Sequence, residues 1–156
     1  MSLQYFMRGR VASVVLSSSA GVALRTQSYA YDASSKVTSQ TVDGVVMSYT
    51  CDGAGQLLTE TRPGYSASYT YDGNGNRLSR TVNGVTETYA YDDGDKLLSV
   101  SVGGSLVKTY GYDPAGRRTS MVDGTGTMAW TYDVAGQLIQ LYQPQGTVTS
   151  TYDATE

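Results

Sequence analysis

Apolar and polar residues alternate along this chain in short segments, and the alternation predicts β-strands. In Tyr69-Thr70-Tyr71 and Tyr89-Ala90-Tyr91, for example, aromatic residues flank one small residue. A period of two places the rings on one face of a strand and the small residues on the other. No stretch shows the apolar spacing of a helix, so the pattern predicts an all-β protein.

One short motif recurs along most of the chain: an aromatic residue, a small residue, a tyrosine and an aspartate. The motif aspartates are Asp32, Asp52, Asp72, Asp92, Asp113, Asp133 and Asp153. Successive aspartates lie 20 residues apart, except for an interval of 21 between Asp92 and Asp113. Cys51 takes the tyrosine position in the second copy. Such a fixed interval indicates a tandem-repeat architecture.

Each repeat has a first turn signal directly after the motif aspartate. An aspartate side chain can accept hydrogen bonds from backbone N–H groups two or three residues further on. A glycine follows three residues later in four copies, as in Asp72 to Gly75, and supplies a positive φ without a steric penalty. Ser35 and Asp95 replace this glycine in two copies, where we expect a strained or differently shaped turn.

A second turn signal follows about ten residues later. It comprises the dipeptides Asp43-Gly44, Pro63-Gly64, Asn83-Gly84, Gly103-Gly104 and Asp123-Gly124. Asn-Gly and Asp-Gly among them favour two-residue type I′ loops, in which both residues have φ above zero. Strands joined by such tight turns pair antiparallel. We therefore predict one β-hairpin per repeat, with successive hairpins extending a continuous antiparallel ribbon that is stabilised by contacts between neighbours.

The repeat array is predicted over residues 29–156, and residues 1–28 are interpreted as a degenerate first repeat or an N-terminal extension. The expected elements there are a strand over Val11–Leu16, a turn over Ser17–Gly21 and a strand over Val22–Tyr31. The alternative is a secretory signal, although consecutive serines interrupt its apolar stretch. No segment approaches the length of a membrane-spanning helix.

Composition argues against several classes of function. The net charge is −3 and the eleven basic residues are scattered, so no basic surface for nucleic acid is predicted. The chain has no histidine and a single cysteine, Cys51, interpreted as a substitution rather than a nucleophile. The motif aspartates could be imagined as calcium ligands, but turn capping explains each one without an ion. We predict no enzymatic activity, no cofactor and no metal site.

The rows of aromatic residues are the feature with the clearest binding potential. Rigid rings on a sheet suit stacking against sugars or proteins, whereas the favoured alternative is that they pack on one another. The candidate ligand-stacking residues are Tyr69, Tyr71, Tyr89, Tyr91, Tyr110, Tyr112, Trp130 and Tyr132.

The segment Tyr71-Asp72-Gly73-Asn74-Gly75-Asn76-Arg77-Leu78 resembles the repeat of the Rhs or YD-repeat proteins, and the resemblance extends over residues 29–156. These proteins include bacterial polymorphic toxins, insecticidal toxin complexes, wall-associated proteins and teneurins. The resemblance implies a spiralling ribbon of β-hairpins, which in the toxins forms a shell around a toxic domain, in a secreted or cell-surface protein.

The resemblance thus favours a non-catalytic structural scaffold module; the alternative is a module that binds carbohydrate or a cell surface. Family members are far longer and the sequence ends in mid-turn at Asp153-Ala154-Thr155-Glu156, so we expect a piece of a larger whole. Expected partners are the remainder of a longer Rhs-like protein or other copies of the chain, through terminal strands and chiefly through Thr147 to Asp153.

Overall fold

The computed structural model describes residues 2–5 and 9–152, with side chains from residue 9 onward. Within these residues all regular structure is β. The strands are β1 Ser2–Tyr5, β2 Val11–Ser17, β3 Ala23–Tyr31, β4 Val37–Val42, β5 Val45–Cys51, β6 Leu57–Arg62, β7 Tyr65–Tyr71, β8 Arg77–Val82, β9 Val85–Tyr91, β10 Leu97–Val102, β11 Ser105–Tyr112, β12 Arg118–Asp123, β13 Gly126–Tyr132, β14 Leu138–Gln143 and β15 Gly146–Thr149.

Strand order follows chain order from β1 to β15. The chain divides into two compact units, one formed within residues 1–70 and 80–84 and the other within 71–79 and 85–156. In the first unit β1 to β7 pair antiparallel in succession, and in the second β9 to β15 do the same. The prediction of tandem antiparallel hairpins is confirmed.

Alternation along the strands separates a half-buried face from an exposed one. In β7, Tyr65, Tyr69 and Tyr71 are half-buried, while the intervening serines and threonine are exposed. Ala67, on the tyrosine face, is the one fully buried apolar side chain among the residues with described side chains, at 4% exposure. Stability therefore comes from partly buried contacts repeated across strands, as expected for a repeat protein.

The motif aspartate closes its turn with both its backbone and its side chain. Around Asp72, the backbone N–H donates to the Asn76 carbonyl at 2.9 Å, and the Gly75 N–H donates to the Asp72 carbonyl at 3.2 Å. Asp72 Oδ1 also accepts from the N–H groups of Asn74 at 3.0 Å and Asn76 at 2.8 Å. The carboxylate thus reaches the second and fourth residues, which corrects the prediction of the second and third.

Ser35 and Asp95 adopt the left-handed conformation that glycine adopts in the other copies. Their φ angles are 69° and 61°, compared with 91° at Gly55. Each donates its N–H to the carbonyl of its motif aspartate, at 3.1 and 3.0 Å. The expectation of strain is confirmed, because a side chain at positive φ is disfavoured. The turns keep the same shape, so the expectation of a different shape is wrong.

Three of the five predicted hairpin loops have the expected type I′ signature. Both residues have positive φ in Asp43-Gly44, Asn83-Gly84 and Gly103-Gly104. In Pro63-Gly64 only the glycine does, with a φ of 72°. The proline ring holds φ near −65° and cannot enter a type I′ turn, so this loop lies at the predicted place with a different turn type.

The loop predicted at Asp123-Gly124 lies one residue later. Asp123 pairs with Gly126 as the last residues of β12 and β13, which leaves Gly124 and Thr125 as the loop. Asp123 Oδ1 accepts hydrogen bonds from the Thr125 N–H at 2.8 Å and from its hydroxyl at 2.6 Å. The aspartate therefore caps the turn from the strand end instead of entering it.

A β-bulge recurs opposite the motif in five repeats, at the sixth residue after the motif aspartate. Tyr31 pairs with Val37 and Ala30 with Ser39, so that Thr38 has no partner across β3. The same shift leaves out Leu58, Leu98, Thr119 and Ile139. A bulge adds a residue to one strand and increases the local right-handed twist. These five repeats therefore place the same irregularity at the same point.

The one longer repeat accommodates its additional residue in a further bulge. Val100 pairs with Lys108 and Ser101 with Leu106, so Val107 is left out of the ladder between β10 and β11. This bulge lies towards the hairpin loop, away from the motif. The interval of 21 residues therefore leaves the motif geometry of Tyr112 and Asp113 intact.

The segment before residue 29 contains β2 and β3, close to the expected strands, with a turn in which the Ser18 N–H donates to the Val22 carbonyl at 2.8 Å. Its interpretation as a degenerate repeat or an extension stays a prediction. The predicted seventh motif aspartate, Asp153, lies outside the described residues, as do Ala154, Thr155 and Glu156.

Candidate functional site: a ladder of tyrosine hydroxyls between repeats

The tyrosine directly before the motif aspartate connects its repeat to the preceding one. Its hydroxyl donates to a backbone carbonyl at the start of an earlier strand. These pairs are Tyr31 with Val11 at 2.9 Å, Tyr91 with Arg77 at 3.0 Å, Tyr112 with Leu97 at 2.8 Å, Tyr132 with Arg118 at 2.9 Å and Tyr152 with Leu138 at 2.9 Å. We call this set the tyrosine ladder. In β10, β12 and β14 the accepting carbonyl belongs to the residue directly before the bulge, so the strand irregularity and the side-chain contact coincide.

Cations from the preceding repeat cover the aromatic rings. Arg117 lies 4.8 Å from the centroid of Tyr132, and Arg118 lies 4.2 Å from that of Trp130. In the preceding repeats, Arg77 lies 4.8 Å from Tyr89 and Lys96 lies 6.0 Å from Tyr112. A cation over a ring adds roughly 0.5–1 kcal/mol at an exposed site.

Several of these groups have shifted pKa values that support the geometry. Burial raises the pKa of Tyr91 and Tyr89, so both stay neutral hydrogen-bond donors at physiological pH. The side-chain hydrogen bond from Asn76 lowers the pKa of Asp72, and the one from Lys96 lowers that of Asp92. Both carboxylates are therefore ionised acceptors, which suits turn capping.

The eight candidate ligand-stacking residues are all half-buried. Tyr69 belongs to the first unit and the others to the second, and the residues lie in pairs on every second strand from β7 to β13. Tyr91, Tyr112 and Tyr132 use their hydroxyls in the ladder. A role of these rings in ligand stacking stays a prediction.

Two parts of this arrangement were missed from the sequence. One is the set of basic residues four or five positions after the motif aspartate, which cover the next repeat's rings; they include Lys96, Arg117 and Arg118. Their regular spacing was a usable signal. The other is the backbone carbonyl that receives each hydroxyl, for which a sequence carries no signal, because every residue has a carbonyl.

The motif aspartates act as turn caps in this structure, with Oδ1 accepting a backbone N–H as in Asp133, which accepts from Gln137 at 2.8 Å. Among the described residues no group of three or more histidine, cysteine, aspartate or glutamate side chains could hold a metal ion. That same part of the chain contains no helix long and apolar enough to cross a membrane.

The fold and the ladder together define a tandem β-hairpin repeat protein whose turns are capped by aspartate side chains and whose repeats are joined by tyrosine hydroxyls. The family model of the teneurin YD-shell matches residues 1–156, and the chain belongs to this family. No curated protein sequence matches the chain.

Solved structures of toxin complexes share the fold. The crystal structure of TcdB2-TccC3-Cdc42 matches 87% of this chain with a TM-score of 0.69 and 20% identity, and that of TcdB2-TccC3-TEV matches 90% with 0.68 and 21%. The Photorhabdus luminescens Tc holotoxin pore matches 83% with 0.65 and 17%. The match covers 9% of each of these chains, so this chain spans less than a tenth of their length.

Proposed function

We propose that this chain is a non-catalytic wall segment of a YD-repeat shell, in which its terminal strands pair with further hairpins of the same kind. In this proposal it serves a secreted or surface-exposed assembly resembling the toxin complexes whose fold it shares. The membership of the teneurin YD-shell family and the structural neighbours support a structural module. The proposal depends chiefly on the tyrosine ladder, because its hydrogen bonds connect one repeat to the preceding one.

The last described strand supplies a place for that pairing. All four residues of β15 are exposed, and its one described partner is β14. The Ser150 N–H points towards the preceding strand, where it donates to the Ile139 carbonyl at 3.0 Å. Because N–H groups alternate along a strand, the Thr149 N–H points the other way, towards an open edge. An open edge of this kind is a template for another strand.

Sedimentation velocity on the full chain tests the proposal. We expect association that grows with protein concentration in the wild type. Thr149→Pro removes an outward N–H without removing a bond to β14, since proline is tolerated at edge positions. This variant should sediment as a monomer with unchanged circular dichroism.

Thr149→Val is the matched control, because it changes the side chain and keeps the N–H, and it should associate like the wild type. A wild-type chain that stays monomeric up to millimolar concentration would contradict pairing through terminal strands. Equal association of the wild type and the proline variant would show that contacts are made elsewhere.

A further inference from the structure

The second motif lacks one rung of the tyrosine ladder. Cys51 occupies the position at which the other copies have the hydroxyl-donating tyrosine. Tyr91, Tyr132 and Tyr152 each reach the carbonyl of the residue 14 positions earlier. The same interval from Cys51 leads to Val37, the first residue of β4, which matches the strand-start position of the accepting carbonyl in the other repeats. A thiol is too short to replace a phenol there.

An open cleft exists where that phenol is missing. Its volume is about 480 Å³, and it is lined by Tyr29, Val37, Tyr49, Cys51 and Leu57, with Lys36, Gln40 and Gly55 completing the wall. All these residues belong to the first compact unit. An apolar cavity of about 150 Å³ is already sufficient to hold benzene. A single aromatic ring therefore fits in this space.

The cation that covers the ring in other repeats is already in place. Arg117 lies over Tyr132 while its Nη1 donates to the Asp133 carbonyl at 3.4 Å. Lys36, at the equivalent position, donates through Nζ to the carbonyls of Asp52 and Gly53, the latter at 3.3 Å. The cleft thus keeps the cation of a complete repeat although its ring is absent.

We propose that this cleft binds a neutral monocyclic phenol with a small para substituent. The ring lies among Val37, Tyr49 and Leu57, with Lys36 over it, and the phenol hydroxyl donates to the Val37 carbonyl. The bound molecule thereby reproduces the tyrosine of the other motifs. The proposal is independent of the shell-wall function and does not depend on association between chains.

The chemistry of the cleft selects a hydrogen-bond donor. A backbone carbonyl can only accept, so a ring with a hydroxyl gains a bond that a ring with a methoxy group cannot make. Leaving a carbonyl without its partner costs roughly a factor of ten in affinity. p-Cresol has the same ring, para carbon and hydroxyl as the tyrosine side chain, and 4-methylanisole has the same ring without the donor.

The test is a titration of the isotope-labelled full chain with p-cresol, followed by NMR, together with the rate at which Cys51 reacts with a thiol reagent. Cys51 is the only cysteine and is half-buried, so labelling reports on this cleft alone. We expect saturable shifts at Tyr49 and Leu57, slower labelling of Cys51, and binding of 4-methylanisole weakened about tenfold.

Two variants complete the design. Cys51→Tyr places the missing phenol in the cleft and should abolish p-cresol binding, whereas Cys51→Ala keeps the cleft open and should retain it. Unchanged binding in Cys51→Tyr, or equal affinity for p-cresol and 4-methylanisole, would overturn the proposal. So would the absence of saturable shifts in the wild type, and this outcome needs no variant to fold.

Discussion

The two ends of each hairpin differ in how strictly they are specified. At the motif end, an aspartate caps the turn, a bulge lies opposite the motif, and a tyrosine hydroxyl reaches the preceding repeat, as in Tyr112 and Asp113. At the loop end the sequences vary from Asn83-Gly84 to Gly124-Thr125, and the loops have different φ patterns. The extra residue Val107 also lies at this end.

The difference indicates which end of the hairpin constrains the sequence of the repeat more strongly. The tyrosine and cation contacts between repeats are made at the motif end, so a change there disturbs two hairpins. At the loop end the side-chain contact with the preceding hairpin depends on the loop residue: Asn83 Oδ1 accepts a hydrogen bond from the Ser66 N–H at 2.8 Å, whereas some other loops have no aspartate or asparagine to do so. Several dipeptides can reverse the chain there. Sequence and length should therefore be tolerated at the loop end and restricted at the motif end.

Single-residue deletions should give the largest contrast between the two ends. Deleting Thr131 makes Trp130 and Tyr132 consecutive, so they cannot share a face. We expect a loss of about 3 kcal/mol or more in the free energy of unfolding. Deleting Val107 removes a bulge and should change it by less than about 1 kcal/mol. Urea unfolding measures both, and equal losses would refute the distinction between the ends.

Substitutions within β11 should show the same contrast between the two ends of the hairpin, with smaller changes in the free energy of unfolding. Tyr112→Ala removes a half-buried ring, its cation contact and its hydroxyl bond, and should cost about 2–3 kcal/mol. Tyr112→Phe removes only the bond to the Leu97 carbonyl and should cost about 1 kcal/mol. Leu106→Ala, at the loop end of the strand, is the control. Leu106 is 63% exposed, and the change should stay within about 0.5 kcal/mol.

Acidification should weaken the fold mainly through the motif end. The pKa values of Asp72, Asp92 and Asp113 lie below the ordinary 3.8, at Asp113 chiefly because its carboxylate accepts a hydrogen bond from the Arg117 backbone. A hydrogen bond from the Thr125 hydroxyl lowers the pKa of Asp123, which lies next to a hairpin loop. A lowered folded-state pKa stabilises the fold above pH 3.8, and this stabilisation is lost as the pH falls through the lowered values.

Urea unfolding between pH 7 and pH 2 follows this loss. The free energy of unfolding should be nearly constant down to about pH 5 and then decrease. Asp113→Asn cannot titrate, so its decrease below pH 3.8 should be shallower than that of the wild type. A stability that rises on acidification would show that these carboxylates are not stabilised in the fold.

The smallest effects are expected where glycine is restored to the motif turn. Ser35→Gly relieves a side chain at positive φ and should raise the free energy of unfolding by about 0.5–1 kcal/mol. Asp95→Gly relieves the same strain but removes hydrogen bonds from Asn74 at 2.9 Å and Asn76 at 2.6 Å. Its gain should therefore be smaller. Thermal unfolding compares the two, and an equal gain would show that the Asp95 contacts contribute nothing.

The sequence predicts the strands from β2 onward, their order and most of the positive-φ turns because these depend on local patterns, whereas β1 at Ser2–Tyr5 was missed. Alternation and the dipeptide Asn83-Gly84 are sufficient for that. The bulge at Ile139 is not predictable in this way, since it is a relation between two strands. The loop at Gly124-Thr125 was misplaced because Asp123-Gly124 is an equally good turn signal when the capping side chain is ignored.

The candidate site could likewise be predicted only in part from the sequence. The aromatic rows follow from spacing, and the structure places them half-buried on every second strand. Their cation contacts depend on a residue at or just before the start of the preceding strand, and the cleft at Cys51 depends on the ring that a tyrosine at this position would have placed there. The sequence shows that Cys51 replaces a tyrosine, but it does not show the cleft that this substitution leaves.

The most direct test of this structure is to measure cross-strand nuclear Overhauser effects between β13 and β14 in the labelled full chain, because they report how the two strands pair. The account predicts Thr131 opposite Gln140 and Tyr132 opposite Leu138, with Ile139 outside the ladder and the Tyr132 ring in contact with Arg118. An unbroken ladder that places Ile139 opposite Tyr132, or a Tyr132 ring remote from Arg118, would contradict it.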